Sequence, residues 1–242
     1  MTTFRFYEEL NDFLPAQRRK RDFEAPCARG ATTKHMIEAL GVPHTEVELI
    51  FVNGESVGFD RLLDDGDRVA VYPKFEAFDV TSLLRVRTAP LRVMRFVADA
   101  HMGGLAKLLR MAGFDTLYDN GFSDNEIAAI ARREARIVLS RDRDLLKRRE
   151  ITHGCYVRAL KPWQQLREVF DRLDLAGVAR PFTLCLRCNE PLHAVDKQRI
   201  VEQLPPSVRE RKHQFSTCDV CRRVFWEGSH WQKMRSLLDE LS

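Results

Sequence analysis

Two sets of residues in this 242-residue chain could do chemistry. The first is Cys185-Leu-Arg-Cys188 and Cys218-Asp-Val-Cys221, two CxxC knuckles with 29 residues between them. A tight turn between paired cysteines presents two thiolates together, and two such turns complete a tetrahedral Cys₄ site. With all four positions taken by protein, the ion expected is a structural Zn²⁺ rather than a catalytic one. The redox reading is weaker, because a thioredoxin-like dithiol needs one CxxC beside a βαβ unit, not two. His193, His213 and His230 could replace a thiolate, but four cysteines already fill the site. The second set is acidic: Asp99, Asp124, Asp142 and Asp144. Grouped carboxylates repel, and removing them from water costs several kcal/mol each unless something compensates. A divalent cation is the natural compensator, and oxygen ligands with retained water suit Mg²⁺ or Mn²⁺. Such a cation activates water and stabilises the leaving oxyanion in phosphodiester hydrolysis.

The elements that must position the acidic set alternate between strand and helix. Residues 95–98 form a short apolar strand ending at Asp99. A helix over 101–112 follows, with Leu105, Leu108, Leu109 and Ala112 on one face and Gly113 as its stop. A second strand spans 114–117. Ser123 caps the next helix with Glu126 at its third position, a capping-box pattern. Residues 137–139 form a third strand, and Ser140-Arg141-Asp142-Arg143-Asp144 follows at once. A fourth strand near Tyr156 and a helix over 162–173 complete the segment. This βαβαβ order predicts a parallel sheet, and active-site groups of such sheets collect outside the carboxyl ends of the strands. Local readings compete for some of these carboxylates. Asp124 in a first helical turn suits the macrodipole, Asp144 could pair with a nearby arginine, and Asp119 reads as a turn residue. Asp99 and Asp142, both strand-end aspartates, have no obvious local use.

Basic residues surround the acidic ones. Lys107 and Arg110 lie on the first helix, and Arg141 and Arg143 interleave with the acidic pair. All four are candidates for binding phosphates on either side of a scissile bond, without sequence readout. Arg132 and Arg133 read more simply as a solvated helix face. Between and after the knuckles, Lys197, Arg199, Arg209, Arg211, Lys212, Arg222 and Arg223 accompany Phe225 and Trp226. That mixture fits single-strand RNA stacking and, equally, the apolar support a small ribbon needs.

The first eighty residues differ in character. A strand near Thr3, a basic run at 18–21, a strand near Phe23, a helix capped by Thr32 or Thr33 and stopped by Gly41, and strands over 47–52 and 67–73 make a β-grasp pattern. Asn53-Gly54 reads as a tight turn. VNGESVGFDRLLDDGDRVAVYP resembles the small ubiquitin-like sulfur carriers. Those carriers act through a free C-terminal Gly-Gly, whereas here Pro73-Lys74-Phe75-Glu76 runs on. A fused binding or stabilising module is the better reading, with sulfur transfer the rival.

Length and composition agree with several soluble domains. Hydrophobic residues make up 44% and charged residues 31%, which excludes a disordered or fibrous chain. No apolar run approaches the ~20 residues of a membrane span, and MTTFRFYEELNDF lacks the pattern of a secretory signal. A cytoplasmic protein is therefore expected. The net charge of +4 is too small to assign a nucleic-acid binder by itself. Cys27 and Cys155 stand alone and read as inert thiols.

FVADAHMGGLAKLLRMAGFDTLYDN and FSDNEIAAIARREARIVLSRDRDLLKRR resemble the PIN-like ribonuclease family named after the C-terminal domain of the mutator-seven exonuclease. The resemblance covers about 92–235, zinc pairs included, and the β-grasp segment resembles the N-terminal extension of bacterial members. It implies that Asp99, Asp124, Asp142 and Asp144 bind a catalytic Mg²⁺ or Mn²⁺. It also implies that Ser140-x-Asp142 is the family's Ser/Thr-x-Asp element, whose hydroxyl orients the carboxylate. Many members carry a glutamate on the central helix; here Asp124 or Glu126 would serve. The expected architecture is α/β: a ubiquitin-like β-grasp domain over 1–80, a PIN-like nuclease domain over 92–178, and a Cys₄ zinc ribbon over 181–235. Residues 81–92 read as a linker. The expected function is metal-dependent hydrolysis of RNA, with a non-catalytic RNA-binding or ribosome-associated adaptor as the alternative. RNA is the expected partner, no membrane is expected, and a protein partner for the β-grasp module is a further candidate. The oligomeric state stays open.

Overall fold

The computed structural model of the chain describes residues 1–73, 85, 86 and 94–241. The expected linker over 81–92 and the continuation past Pro73 therefore lie almost wholly outside the described residues.

The N-terminal segment comprises β1 (Thr2–Phe6), β2 (Phe23–Ala25), α1 (Thr33–Ala39), β3 (Leu49–Val52), β4 (Glu55–Val57) and β5 (Arg68–Tyr72). Thr32 caps α1, its side chain accepting from the His35 N–H at 3.2 Å, while the Thr33 hydroxyl donates to the Gly58 carbonyl at 2.9 Å. Asn53 and Gly54, at φ +52° and +87°, form the two-residue turn between β3 and β4. Two consecutive positive φ values are what a twisted two-residue hairpin requires. The sheet runs β2-β1-β5-β3-β4, with β1 and β5 parallel at its centre. One face buries Phe4, Phe6, Ile50, Val69 and Val71 with Met36 and Ile37 of α1. The β-grasp reading holds, with β4 as a strand the hydrophobic pattern was too short to reveal.

The middle segment contains β6 (Phe96–Ala98), α2 (Gly103–Met111), β7 (Thr116–Tyr118), α3 (Asp124–Glu134), β8 (Ile137–Ser140), α4 (Arg143–Leu146), β9 (Gly154–Tyr156) and α5 (Pro162–Leu173). β6 pairs in parallel with β7, and β8 in parallel with β9. The expected strands and helices are present, and α4 adds a single turn to which the sequence reading assigned no element. Close approach explains the paired glycines that open α2. A Cβ on Gly103 would lie 2.4 Å from the Tyr118 hydroxyl, and one on Gly104 2.5 Å from a Pro162 ring carbon. Leu105, Ala106 and Leu109 are fully buried on the inner face of α2.

The last segment holds β10 (Leu192–Ala194), α6 (Pro206–Arg211), β11 (Ser216–Cys218), β12 (Val224–Phe225) and α7 (Ser229–Asp239). The three strands form an antiparallel sheet in sequence order. Ile200, Leu204 and Phe215 make a small core against which Trp226 packs. Trp226 thus supports the ribbon.

The described residues divide into two compact units. One spans Met1–Val93 and Ser123–Tyr156, the other Met94–Phe122 and Val157–Ser242. In the first unit the β-grasp segment packs on β9. His44 bridges the Glu38 carboxylate at 2.7 Å and the Ile151 carbonyl at 2.8 Å. The Glu46 carboxylate accepts from the Tyr156 N–H at 2.7 Å. Phe13 meets the Tyr156 ring edge-on at 5.1 Å. Both His44 and Glu46 are buried. No described helix is long and apolar enough to cross a membrane.

Candidate metal centres

The two knuckles share one local geometry. The N–H of Asn189 donates to the Cys185 carbonyl at 2.9 Å, and that of Arg222 to the Cys218 carbonyl at 2.8 Å. Asn189 and Arg222 both take positive φ, +66° and +56°. Each turn therefore curls back on its first cysteine and aims both sulfurs inward. All four sulfurs lie within 4.8 Å of one another, and Cys185 and Cys221 are 3.7 Å apart. Zn–S bonds of about 2.3 Å at tetrahedral angles set sulfur–sulfur edges of about 3.8 Å. The donor set and its spacing thus fit a tetrahedral thiolate site. Burial and the neighbouring thiols push Cys188 up to about 12. Burial also acts to raise Cys221, but hydrogen bonds from the Arg223 backbone and the other thiols bring it down to about 7. Four crowded thiols cannot all ionise without a cation to absorb their charge. His193 instead pairs with Asp219 at 3.6 Å, His213 is exposed, and the His230 side chain lies outside what is described.

Arg110 ties this centre to β7. Its Nε donates to the Thr116 carbonyl at 2.9 Å, and its Nη1 to the carbonyls of Leu186 and Arg187 at 3.1 and 2.9 Å. Only 5% of Arg110 is exposed, and burial draws its guanidinium below its ordinary value against the opposing pull of Cys185 and Cys188. The structure thus places the Arg110 guanidinium, expected from the sequence to bind phosphate, in the interior with three carbonyls as its partners. Asn189 adds a second tie, accepting from the Thr116 N–H at 2.8 Å and donating to Asp115 at 2.5 Å. Nothing in the sequence marked Asn189; only the identical curl of both knuckles would have picked it out.

Asp99 ends β6 as the sequence indicated. It is half-buried, and its Oδ1 accepts from the Ala100 N–H at 2.5 Å. The Tyr118 hydroxyl lies 3.0 Å from the Ala100 carbonyl and also contacts Asn120 Oδ1.

In the other unit, Asp142 caps α4. Its Oδ1 accepts from the N–H groups of Asp144 and Leu145 at 2.7 and 3.3 Å. The carboxylate is exposed yet oriented through these two bonds. The buried Ser140 hydroxyl accepts from the Asp142 backbone N–H at 2.8 Å and so helps shape the turn that carries Asp142. Asp144 is 93% exposed, with Lys147 at 3.6 Å. Of the two candidates on α3, Glu126 is committed to the cap. It accepts from the Ser123 N–H at 2.8 Å and hydroxyl at 2.7 Å, which holds its carboxyl below the ordinary carboxylate value. Among the described residues, the exposed Asp124 carboxylate has no hydrogen-bond or ion-pair partner. Asp124, Asp142 and Asp144 are not gathered into a group as tight as the cysteine quartet.

Lys107 and Arg141 are exposed. Arg143 is turned aside: its guanidinium sits over the Phe13 ring at 5.0 Å and the Tyr156 ring at 5.7 Å, and its Nη1 donates to the Phe13 carbonyl at 3.3 Å. An open groove of about 570 Å³ runs along α3, lined by Asn125, Ala128, Arg132, Arg133 and Arg148 among others.

Two family models match the chain. One, described as the Mut7-C RNAse domain, covers residues 94–238, and another, described as Mut7-C ubiquitin, covers residues 1–79. No curated protein and no solved structure matches.

Proposed function

Because the chain belongs to the Mut7-C RNAse domain family, we propose that it hydrolyses RNA phosphodiester bonds with a divalent Mg²⁺ or Mn²⁺ held by Asp99, Asp124, Asp142 and Asp144. The observation that carries this reading is the Asp142 carboxylate, exposed at the end of β8 but fixed through one oxygen by two backbone N–H groups. An oriented, exposed carboxylate is what a hard oxygen-seeking cation requires. Asp124 rather than Glu126 supplies the ligand on α3, because Glu126 is occupied by Ser123. The chemistry such a cation supplies is activation of water and neutralisation of charge on the scissile phosphate. The carboxylates orient that chemistry, while Lys107 and Arg141 hold flanking phosphates without reading sequence. The arginine-lined groove along α3 gives the RNA backbone a path that begins beside Asp124. The Cys₄ quartet holds a structural Zn²⁺. The segments 1–80, 92–178 and 181–235 are read as ubiquitin-like, PIN-like and ribbon parts of a cytoplasmic enzyme.

Purified protein assayed on mixed RNA and DNA with metals varied tests this reading. Cleavage of RNA is expected to require Mn²⁺ or Mg²⁺ and to be lost in Asp99→Asn/Asp142→Asn at unchanged stability. Equal activity in that double variant would remove the assigned site. A wild type that binds RNA but cleaves nothing under any metal would leave the adaptor reading in its place.

A further inference from the structure

Arg143 stands between two of the assigned carboxylates, yet among the described residues it makes no ion pair with either. Its guanidinium lies instead on Phe13 of the ubiquitin-like segment, with Tyr156 of β9 on a second ring contact and the Phe13 carbonyl as acceptor. A flexible cation one residue from Asp142 and one from Asp144, if released, would join Lys147, already 3.6 Å from Asp144, in competing with any divalent ion those carboxylates hold. Aromatic faces attract guanidinium by their quadrupole and offer it a desolvated seat. α4 adds a second reason for control from outside. It has four residues, too few to persist without tertiary support, and its N-cap is Asp142 itself. The direction of the Asp142 carboxylate therefore depends on what holds α4, and Arg143 is the first residue of that turn.

We propose that the ubiquitin-like segment is a built-in positioning element of the nuclease: Phe13 holds the Arg143 guanidinium away from Asp142 and Asp144 and thereby fixes the turn that presents them to the cation. Arg143 is then a positioning residue and not a phosphate ligand. This inference rests on the nuclease reading above, and it gives the fused module a task that needs neither a free C-terminus nor a separate partner.

The test compares Phe13→Leu, Arg143→Met and the double variant with wild type in the full-length zinc-loaded protein. The measurements are Mn²⁺ affinity without RNA, by electron paramagnetic resonance of free Mn²⁺, and kcat and KM on single-stranded RNA across a salt series. Phe13→Leu keeps apolar bulk but removes the aromatic face. It is expected to weaken Mn²⁺ binding about tenfold, the range for residues that orient metal-ligating groups, and to lower kcat with KM within twofold. Adding Arg143→Met to Phe13→Leu removes the released cation and is expected to restore Mn²⁺ affinity to that of Arg143→Met alone. A phosphate-binding Arg143 gives a different pattern: Arg143→Met raises KM and flattens the salt dependence by about one counterion, and Phe13→Leu changes nothing. That result, or strictly additive effects of the two substitutions, would overturn the proposal. Thermal unfolding and zinc content report whether each variant folds. Should Phe13→Leu not fold, Arg143→Lys replaces it, since lysine keeps the charge but loses the planar stack. A wild type without metal-dependent cleavage would strike the nuclease reading itself. Wild-type Mn²⁺ affinity and kcat in Phe13→Leu would strike only the positioning role.

Discussion

At α3 a single residue, Ser123, engages the Glu126 carboxylate through its N–H and its hydroxyl. Ser123 accepts from Glu126 N–H and, with its own N–H, binds the Glu126 carboxylate, so the two side chains satisfy each other and the helix start together. The backbone bond from Ser123, and then its hydroxyl, lower the Glu126 carboxyl below its ordinary value of 4.5. A carboxyl with a lowered folded value contributes stability above its unfolded value, and that contribution fades as pH falls through the folded one. Ser123→Ala should therefore shift the Glu126 midpoint upward in a carbon-detected NMR titration. It should also cost about 1 kcal/mol at neutral pH in urea unfolding, as N-cap losses do. An unmoved Glu126 midpoint would mean that the cap does not hold the carboxylate in solution. The sequence exposed the capping box by spacing alone but left Asp124 and Glu126 as alternatives; the bonds from Ser123 to Glu126 come from the structure.

Elements here are joined by buried polar groups whose importance rises as their number of partners rises. The turn of the first knuckle is held to α2 and β7 by hydrogen bonds from Arg110 and Asn189. Removing a buried donor strands its acceptors, each with the desolvation cost of an unmade bond. Arg110→Met keeps the stem and should destabilise the protein by about 2–4 kcal/mol, with three carbonyls left unpaired. The sensitive measurement is the rate at which a chelator strips zinc, expected to rise while the wild type retains its metal. An unchanged rate would show that the knuckle holds its shape without this tie. In the sequence Arg110 looked like any helix-surface arginine near an acidic motif. A contact spanning more than 70 residues, to Leu186 and Arg187, put it inside.

On the scale of the molecule, chain order and packing order differ. The described residues within Met1–Val93 pack in one unit with Ser123–Tyr156, so the ubiquitin-like sheet and the β8–β9 pair share a body. Glu46 is the clearest link, a buried carboxylate bonded to the Tyr156 N–H 110 residues away. Glu46→Ala would leave that N–H without its acceptor, a loss of about 1–3 kcal/mol. Hydrogen exchange at Tyr156 should then accelerate about tenfold, since 1.4 kcal/mol is a factor of ten. Unaltered exchange there would place the stability of β9 elsewhere.

The sequence by itself determined whatever depends on short-range rules. Strand and helix periodicity, the Asn53-Gly54 turn, the Ser123 cap and the strand-end aspartates all follow from chemistry within a few residues. The paired CxxC spacing belongs with them, because two local turns suffice to define four ligands. The tertiary structure decided which side of a residue's chemistry is used. Arg110 and Arg143 both read as phosphate contacts beside acidic motifs, and both proved to be occupied, one by distant carbonyls and one by distant rings. A long cationic side chain has many rotamers and no local rule to choose among them. Its partner is chosen by long-range packing, and that choice becomes visible only when the chain has folded.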